Sequence, residues 1–484
     1  MAKIINFKSK KRNLFLLILI IVFSLLIRIA FFGGIDTSDS LINTRFSYDI
    51  SHKIFPTTTS QTNARIGLLI PVSVIYSKFG ISDLTSVVLI LLTSIGGIGI
   101  IYFFGKFLFN ENIGLLSAFL LSFFPLDVIY STRFFSDLPS AIFSALSVFI
   151  FLRGEKSKTI VGRCFNYILS GLALGISFSV REVAVVTMLF FIGYVVYQRK
   201  IRMDYAFVVA GFLFILAMEM AFFYAHTGNI FYRFSSLDNY YLEAAKSHNF
   251  FGRLAFPGFF LAWPYVIFTD INTGYFYFFI SMAVIYFIIH RKRETDYLIM
   301  WISLVLLYFV FGSTSLKTYA PLLAVNRYLS YATFPGILLL ACFLAEKQKI
   351  IRKFLLPFAV IFLFCTSLGA VYLDPNRHSL YQERKLYESI KTIDKPIYSD
   401  SRTIRVMDYV SSYNNNLNFV DLENNSKNIH GAYVIIDNKI INALIAAGNN
   451  LQYLKDIDFQ SRSWTKFKEI GKNPDDKIIL YYVP

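Results

Sequence analysis

Residues 14–32 are apolar apart from Ser24 and Arg28, and ten further apolar stretches follow before residue 373. A helix of ~20 apolar residues covers the ~30 Å hydrocarbon layer of a bilayer. Inside that layer a backbone satisfies its own polar groups only as a helix or a closed barrel. The repetition therefore predicts an α-helical polytopic membrane protein. The later spans are expected near 84–104, 113–130, 137–152, 165–180, 183–197, 205–225, 273–289, 297–311, 328–345 and 354–372, making about eleven with the first. Composition agrees: 16% of the chain is charged and 55% hydrophobic, with 52 Phe and 31 Tyr, whereas soluble domains carry ~25% charged residues.

The net charge of +16 would suggest nucleic acid in a soluble protein. Here the lysines and arginines lie in short loops between apolar runs, as they do where charge sets membrane orientation, so nucleic acid is excluded as a partner. Alternate connections hold Lys106; Arg153, Lys156, Lys158 and Arg163; Arg199, Lys200 and Arg202; Arg291, Lys292 and Arg293; and Lys347, Lys349, Arg352 and Lys353. With Lys3, Lys8, Lys10, Lys11 and Arg12 they make twenty cations on one side. The expectation is a cytoplasmic N-terminus, an uncleaved first helix, and an extracytoplasmic position for the loop 33–80 and for everything after 373. Two short apolar segments, 66–79 with Pro71 and 254–268 with Pro257 and Pro264, are expected to lie in the interface rather than cross it.

Residues 1–373 form the membrane domain. From 374 to 484 the chain turns polar and Asn-rich, and short strands near 396–400, 417–421, 432–437 and 477–483 alternate with helices near 402–413 and 440–454. That alternation predicts a small extracytoplasmic α/β domain. Cys164, Cys342 and Cys365 have neither metal-ligand nor disulfide spacing.

Ionisable residues at the extracytoplasmic rim carry the chemistry, because charge beside hydrocarbon is costly and marks function. Asp36 and Asp39 follow the first span, and a carboxylate there can take a proton from an acceptor hydroxyl. The competing reading is a helix cap. Arg65 opens the 66–79 stretch, and a guanidinium suits a phosphate. Arg133 and Asp137 stand four residues apart, so an ion pair within one helix is the plain alternative. Arg181 and Glu182 form a charged hairpin, while Lys317 and Arg327 precede the tenth span, where interfacial anchors are also common. Four successive loops thus bring both signs of charge to one face.

Taken in order, these segments resemble the polyprenyl-phosphate-sugar glycosyltransferases of the C-type membrane fold, especially the dolichyl-phosphate-mannose–protein mannosyltransferases (glycosyltransferase family 39) and the aminoarabinose transferases. The resemblance spans roughly residues 12–345 and rests on DSLINTRFSYDI from Asp39, RIGLLIPVSVIYSKFG from Arg65, PLDVIYSTRFFSDLP, SVREVAVV, and NRYLSYATFPGILLLA from Asn326. It implies a membrane glycosyltransferase that moves a hexosyl or mannosyl-type sugar from a polyprenyl-phosphate donor to a protein, glycan or lipid acceptor, with inversion. Asp39 would be the general base, with Asp36 the neighbouring alternative. Arg65, with Arg327, Arg181 and Lys317, would hold the lipid phosphate, and Arg133, Asp137 and Glu182 complete the candidate set. The chain departs from the family where Ser40 follows Asp39, where Asn43 replaces a tyrosine, and where Arg65-Ile66-Gly67 replaces Lys-Pro-Pro. The only tryptophans are Trp263, Trp301 and Trp464, so the Trp-Trp-Asp motif of the oligosaccharyltransferase branch is missing.

Two other classes compete. A transporter or lipid flippase also needs many helices and intramembrane charges, but it places them near the midplane between paired halves. A scaffold would leave the Asp/Arg set without a purpose. No metal is required by this resemblance, although Asp39, Asp137 and Glu182 are all hard oxygen ligands of the kind Mg²⁺ or Mn²⁺ would accept.

Overall fold

The computed structural model describes residues 2–484 except 56–60, 247–257, 314–321, 347–350, 376, 378, 415–416, 427–428, 447–450, 452, 454–462 and 472. Eight described helices are long and apolar enough to cross a membrane, or nine if the pair Glu111–Ser122 and Pro125–Ser131, bent by 59°, counts as one span. The shorter apolar helices Glu182–Gln198 and Phe276–Ile289 coincide with the two remaining expected spans. The bend falls where Pro125 starts a new helix, at a position where a proline fits without breaking a hydrogen bond. Ile66–Phe79 is a separate short helix with Pro71 inside it. The second segment expected at the interface appears as the helix Gly258–Thr269, its expected start lying outside the described residues.

Close approach of small side chains sets the packing, as it does where lipid supplies no hydrophobic drive between helices. A Cβ on Gly171 of Ile160–Val180 would sit 2.0 Å from the Val208 carbonyl oxygen of Ala206–Thr227, and one on Gly211 would sit 2.4 Å from the Ile168 oxygen. Ile160–Val180 meets Asp137–Glu155 along a row of serines: Ser140 and Ser144 lie 3.0 and 2.8 Å from the Ser177 hydroxyl, and Ser147 lies 3.1 Å from that of Ser170. Ser330–Leu344 runs through the centre with every residue buried. The first helix instead presents Phe15, Ile18, Leu26 and Ile29 outward, an apolar surface suited to lipid. The chain is an integral membrane protein.

The C-terminal domain forms a five-stranded sheet, β1 (Ile397–Ser399), β2 (Phe419–Asp421), β3 (Ala432–Asp437), β4 (Thr465–Ile470) and β5 (Ile478–Val483), in the order β2-β1-β3-β5-β4. β1 pairs parallel with β2 and β3, and β5 pairs antiparallel with β3 and β4. Helices Ser401–Val410 and Asn438–Ala446 lie where helices are expected, though part of the second expectation falls outside the described residues. Two elements are unexpected. β4 reads TKFKEI and is exposed along nearly its whole length, so it carries almost no apolar alternation, as befits a charged edge strand. Tyr381–Ile390 buries only Glu383, Leu386 and Ile390.

Candidate active site

Six helix ends meet at one end of the bundle. Asp39 opens Asp39–Ser51 and Asp137 opens Asp137–Glu155, where the helix dipole favours a carboxylate. Arg65 stands at the N-cap of Ile66–Phe79, Arg181 at the C-cap of Ile160–Val180, Glu182 at the start of the tight turn Glu182–Val185, and Arg327 in the turn Asn326–Leu329 that leads into the central helix. Each is placed by the end of an element: Asp137 and Arg181 by membrane spans, Asp39 and Arg65 by the two short helices between the first spans, and Glu182 and Arg327 by tight turns.

The charges interlock. Arg327 Nη2 lies 3.1 Å from Asp39 Oδ2, and its Nε lies 3.6 Å from Asp137 Oδ2. Arg181 holds Asp137 from the other side, Nε to Oδ1 at 3.0 Å, and donates to the Ser136 and Tyr328 hydroxyls at 3.0 and 2.9 Å. Asp137 and Arg181 are buried, whereas the Asp39 and Arg327 side chains keep 28% and 20% of their surface exposed, which makes them the accessible edge of the cluster. Phe135 lies under Arg327, its ring centre 5.1 Å from the guanidinium carbon. Burial pushes the Asp39 carboxyl up, but Arg327, Arg65 and Arg181 together outweigh it and hold the group below the ordinary range.

Arg65 is buried, and its Nε and Nη2 find no hydrogen-bond acceptor among the described residues. Its nearest carboxylate is Glu182, at 3.9 Å, beyond hydrogen-bond length. A buried guanidinium with spare donors is costly unless an anion completes it. Two of the departures from the family pattern have local causes. A Cβ on Gly67 would come within 2.8 Å of the Ser179 backbone carbon, so glycine lets the Arg65 helix lie directly on the end of Ile160–Val180. Asn43 donates to the Phe134 carbonyl oxygen at 2.6 Å, tying the Asp39 helix to the turn before Asp137.

Other expected members go elsewhere. Asp36 is part of the loop fold: its Oδ1 accepts from the Ser38 N–H at 3.0 Å and from the Ser38 and Ser40 hydroxyls. Arg133 does not pair with Asp137; it forms an ion pair with Asp374 at the start of the C-terminal region. Lys317 lies outside the described residues. Asp39, Asp137 and Glu182 each face arginines rather than one another, and among the described residues no three Asp, Glu, His or Cys side chains come together as a metal site. With an arginine against each carboxylate, the cluster as folded does not fit a divalent cation.

Sequence reasoning passed over several contributors. Arg233 pairs with Glu219, donates to the carbonyl oxygens of Ala64 and Phe178 at 3.1 and 2.6 Å, and stands 4.0 Å from Glu182. Glu219 is an acid inside an apolar span, which is the signal that would have found the pair. Tyr130 donates to Asn326 at 2.7 Å, and Asn326 donates to Asp270 at 2.8 Å, bracing the turn that carries Arg327.

Residues 51–224 match the family model described as dolichyl-phosphate-mannose-protein mannosyltransferase. The match takes in Arg65, Asp137, Arg181 and Glu182, begins after Asp39, and is narrower than the resemblance over 12–345. No curated protein matches the chain in sequence. Among solved structures, ArnT from Cupriavidus metallidurans bound to undecaprenyl phosphate is 12% identical, with 96% of this chain and 97% of that one covered and a TM-score of 0.63. The Archaeoglobus fulgidus oligosaccharyltransferase complex with zinc and sulfate is 13% identical, with 97% and 74% covered and a TM-score of 0.59. The same organism's AglB with an inhibitory peptide and dolichol-phosphate is 11% identical, with 97% and 74% covered and a TM-score of 0.56. The chain has the C-type fold of membrane glycosyltransferases.

Proposed function

We propose that this chain, built on the C-type membrane glycosyltransferase fold, transfers a sugar from a polyprenyl-phosphate donor to a hydroxyl-bearing protein, glycan or lipid acceptor at the extracytoplasmic face. The observation that carries the reading is the pairing of functions at one rim: an accessible carboxylate, Asp39, beside a buried arginine, Arg65, that has donors to spare. The family match over 51–224 and the undecaprenyl phosphate and dolichol-phosphate bound by two proteins of like fold support a lipid phosphate as the anion.

In this reading the donor phosphate lies against Arg65 and the acceptor hydroxyl against Asp39. Asp39 takes the hydroxyl proton as the acceptor oxygen attacks the anomeric carbon from the face opposite the leaving group. The bond from that carbon to the phosphate oxygen breaks, its electron pair goes to the phosphate, and the configuration inverts. Arg65 neutralises the charge that develops there. Arg181 and Asp137 fix Arg327, which holds Asp39 ionised and ready to accept a proton. Asp36 takes no part in this scheme, since its carboxylate is engaged by Ser38 and Ser40.

The test is transfer of label from polyprenyl-phosphate mannose, and from other polyprenyl-phosphate sugars, by the protein reconstituted in liposomes. Asp39→Asn should reduce turnover by about 10²–10⁴-fold, the typical worth of a general base, with the protein still folded. Full turnover in that variant would remove Asp39 from the chemistry. Lipid moved across the bilayer without any glycosidic product would favour a flippase. Loss of turnover in EDTA with rescue by Mg²⁺ or Mn²⁺ would show that a cation enters after all.

A further inference from the structure

We propose that Tyr413 of the C-terminal domain is a positioning residue for the helix that carries Asp39, an inference that rests on the reading of Asp39 given above. Helix Ser401–Val410 gives way at Ser411, and Ser412 and Tyr413 then both adopt left-handed backbone, with φ of 56° and 58°. Residues with a side chain hold that conformation in succession only where the surroundings enforce it. The reversal is closed by the Ser412 N–H donating to the Tyr409 oxygen at 2.8 Å and the Tyr413 N–H donating to the Asp408 oxygen at 2.7 Å. It delivers the Tyr413 side chain onto Asp39–Ser51.

Three contacts meet there. The Tyr413 ring stacks on Tyr48 with centres 4.5 Å apart, and the Arg45 guanidinium carbon lies 5.3 Å from its centre. The hydroxyl lies 2.8 Å from Thr44 Oγ1. Thr44 has one hydroxyl proton and gives it to the Leu41 carbonyl oxygen at 2.7 Å, so Tyr413 is the donor to Thr44. The chain of bonds thus ends in the turn that Asp39 opens. The neighbouring Asn43 ties the same helix to the membrane domain by donating to the Phe134 oxygen.

A helix of 13 residues has little stability of its own in water, so its neighbours decide where it points: Ile66–Phe79 and the Phe134 oxygen in the membrane domain, and Tyr413 in the C-terminal domain. The C-terminal domain is itself anchored at this end, since the Tyr409 hydroxyl and Arg384 Nη2 donate to Asp83 Oδ1 at 2.6 and 2.7 Å. The membrane domain supplies one jaw and the C-terminal domain the other. A small displacement of a catalytic group is enough to slow chemistry by two orders of magnitude.

The experiment compares full-length wild type, Tyr413→Phe and Tyr413→Ala in liposomes, by hydrogen exchange and by steady-state transfer from a polyprenyl-phosphate sugar that the wild type uses. Expected for Tyr413→Ala is exchange of the 39–51 amides faster by about tenfold or more, with 330–344 unchanged. Its kcat should fall by about 10–100-fold while KM for the donor stays within about twofold. Tyr413→Phe keeps the ring and loses the hydroxyl, so it should fall between the two. Unchanged exchange at 39–51, unchanged kcat, or faster exchange throughout the protein would overturn the proposal. Full turnover in Asp39→Asn would sink the reading of Asp39 instead, whatever Tyr413 does to exchange.

Discussion

Arg327 stands 3.1 Å from Asp39 and 3.6 Å from Asp137, so one guanidinium is shared by a half-open carboxylate and a buried one. Arg181 also holds Asp137, with its Nε 3.0 Å from Oδ1 and its Nη1 3.1 Å from the same Oδ2 that Arg327 approaches. Arg327 thus links the two carboxylates, and it meets Asp39 from a chain segment nearly 300 residues away in sequence.

This sharing has a consequence for pH. Burial raises the Asp39 carboxyl, and Arg327, Arg65 and Arg181 together bring it below the ordinary carboxylate range. A base works in its ionised form, so activity is present above the depressed value and is lost as pH falls through it. Wild-type kcat should therefore hold its plateau down through the ordinary carboxylate range and show its acid limb only beneath it. Arg327→Met removes the strongest of the three cations and should move that limb to higher pH while lowering the plateau. A kcat–pH profile in liposomes checks it, and an acid limb that stays in place would mean that Asp39 is not the titrating group.

Gly67 should resist even a methyl group. The atoms a Cβ would strike are Ser179 backbone carbon at 2.8 Å and Val180 nitrogen at 2.9 Å, and backbone cannot rotate aside. Overpacking of this kind costs about 1–3 kcal/mol, and relief requires the Arg65 helix to lift from Ile160–Val180. Gly67→Ala should therefore weaken donor use, raising KM for the polyprenyl-phosphate sugar by roughly tenfold, whereas Gly96→Ala, with open space around its Cβ, should leave it unchanged.

The bundle was legible because a bilayer imposes one requirement, a run of about 20 apolar residues, that most of the spans meet locally. Of the irregular parts, Pro71 marked the short helix, whereas the bend at Pro125 falls inside a stretch, 113–130, expected as one span. The pairings were not legible, since they depend on which ends meet in space. Arg133 and Asp137 look like a pair four residues apart, yet Arg133 goes to Asp374, 241 residues on, and Asp137 goes to Arg181, 44 residues on. Glu219 and Arg233 are hidden for a different reason: one lies inside an apolar run and the other in the polar stretch that follows it. β4 was invisible because an exposed edge strand need not alternate.

The ion pair Arg28–Asp127 is separate from the site and should be structural. The two meet at 2.5 Å with essentially no exposure, and Arg28 also donates to the Ser94 hydroxyl at 3.0 Å and the Ser122 oxygen at 3.0 Å. It thereby joins the first helix to the bent pair. Removing one member strands the other charge, at a cost of about 3–5 kcal/mol. Asp127→Asn should lower the thermal midpoint in detergent and reduce the yield of folded protein. The double replacement Arg28→Met with Asp127→Leu should lose less than either single change, because no buried charge remains. A double variant worse than both singles would show that Arg28 matters chiefly through its serine and carbonyl contacts.

The C-terminal domain carries its own pH sensitivity. Asp437 ends β3, and its Oδ1 accepts the Ile440 N–H at 3.2 Å while Oδ2 has no partner among the described residues. Burial, with the nearby Glu383 carboxyl, pushes Asp437 up to about 7. An unfolded aspartate titrates near 3.9, so between roughly pH 4 and pH 7 the folded domain keeps a proton that the unfolded chain has released. Stability contributed by the neutral form is therefore complete below that window and is lost as pH rises through it. Asp437→Asn keeps the acceptor for Ile440 and removes the charge. It should stabilise the domain by about 1–3 kcal/mol at pH 8 and by nothing at pH 4. Hydrogen exchange of the β3 and β5 amides at the two pH values measures this directly. An equal gain at both, or a loss at pH 8, would mean that Asp437 is ionised and paired in the folded domain, with Lys439 the partner to examine next.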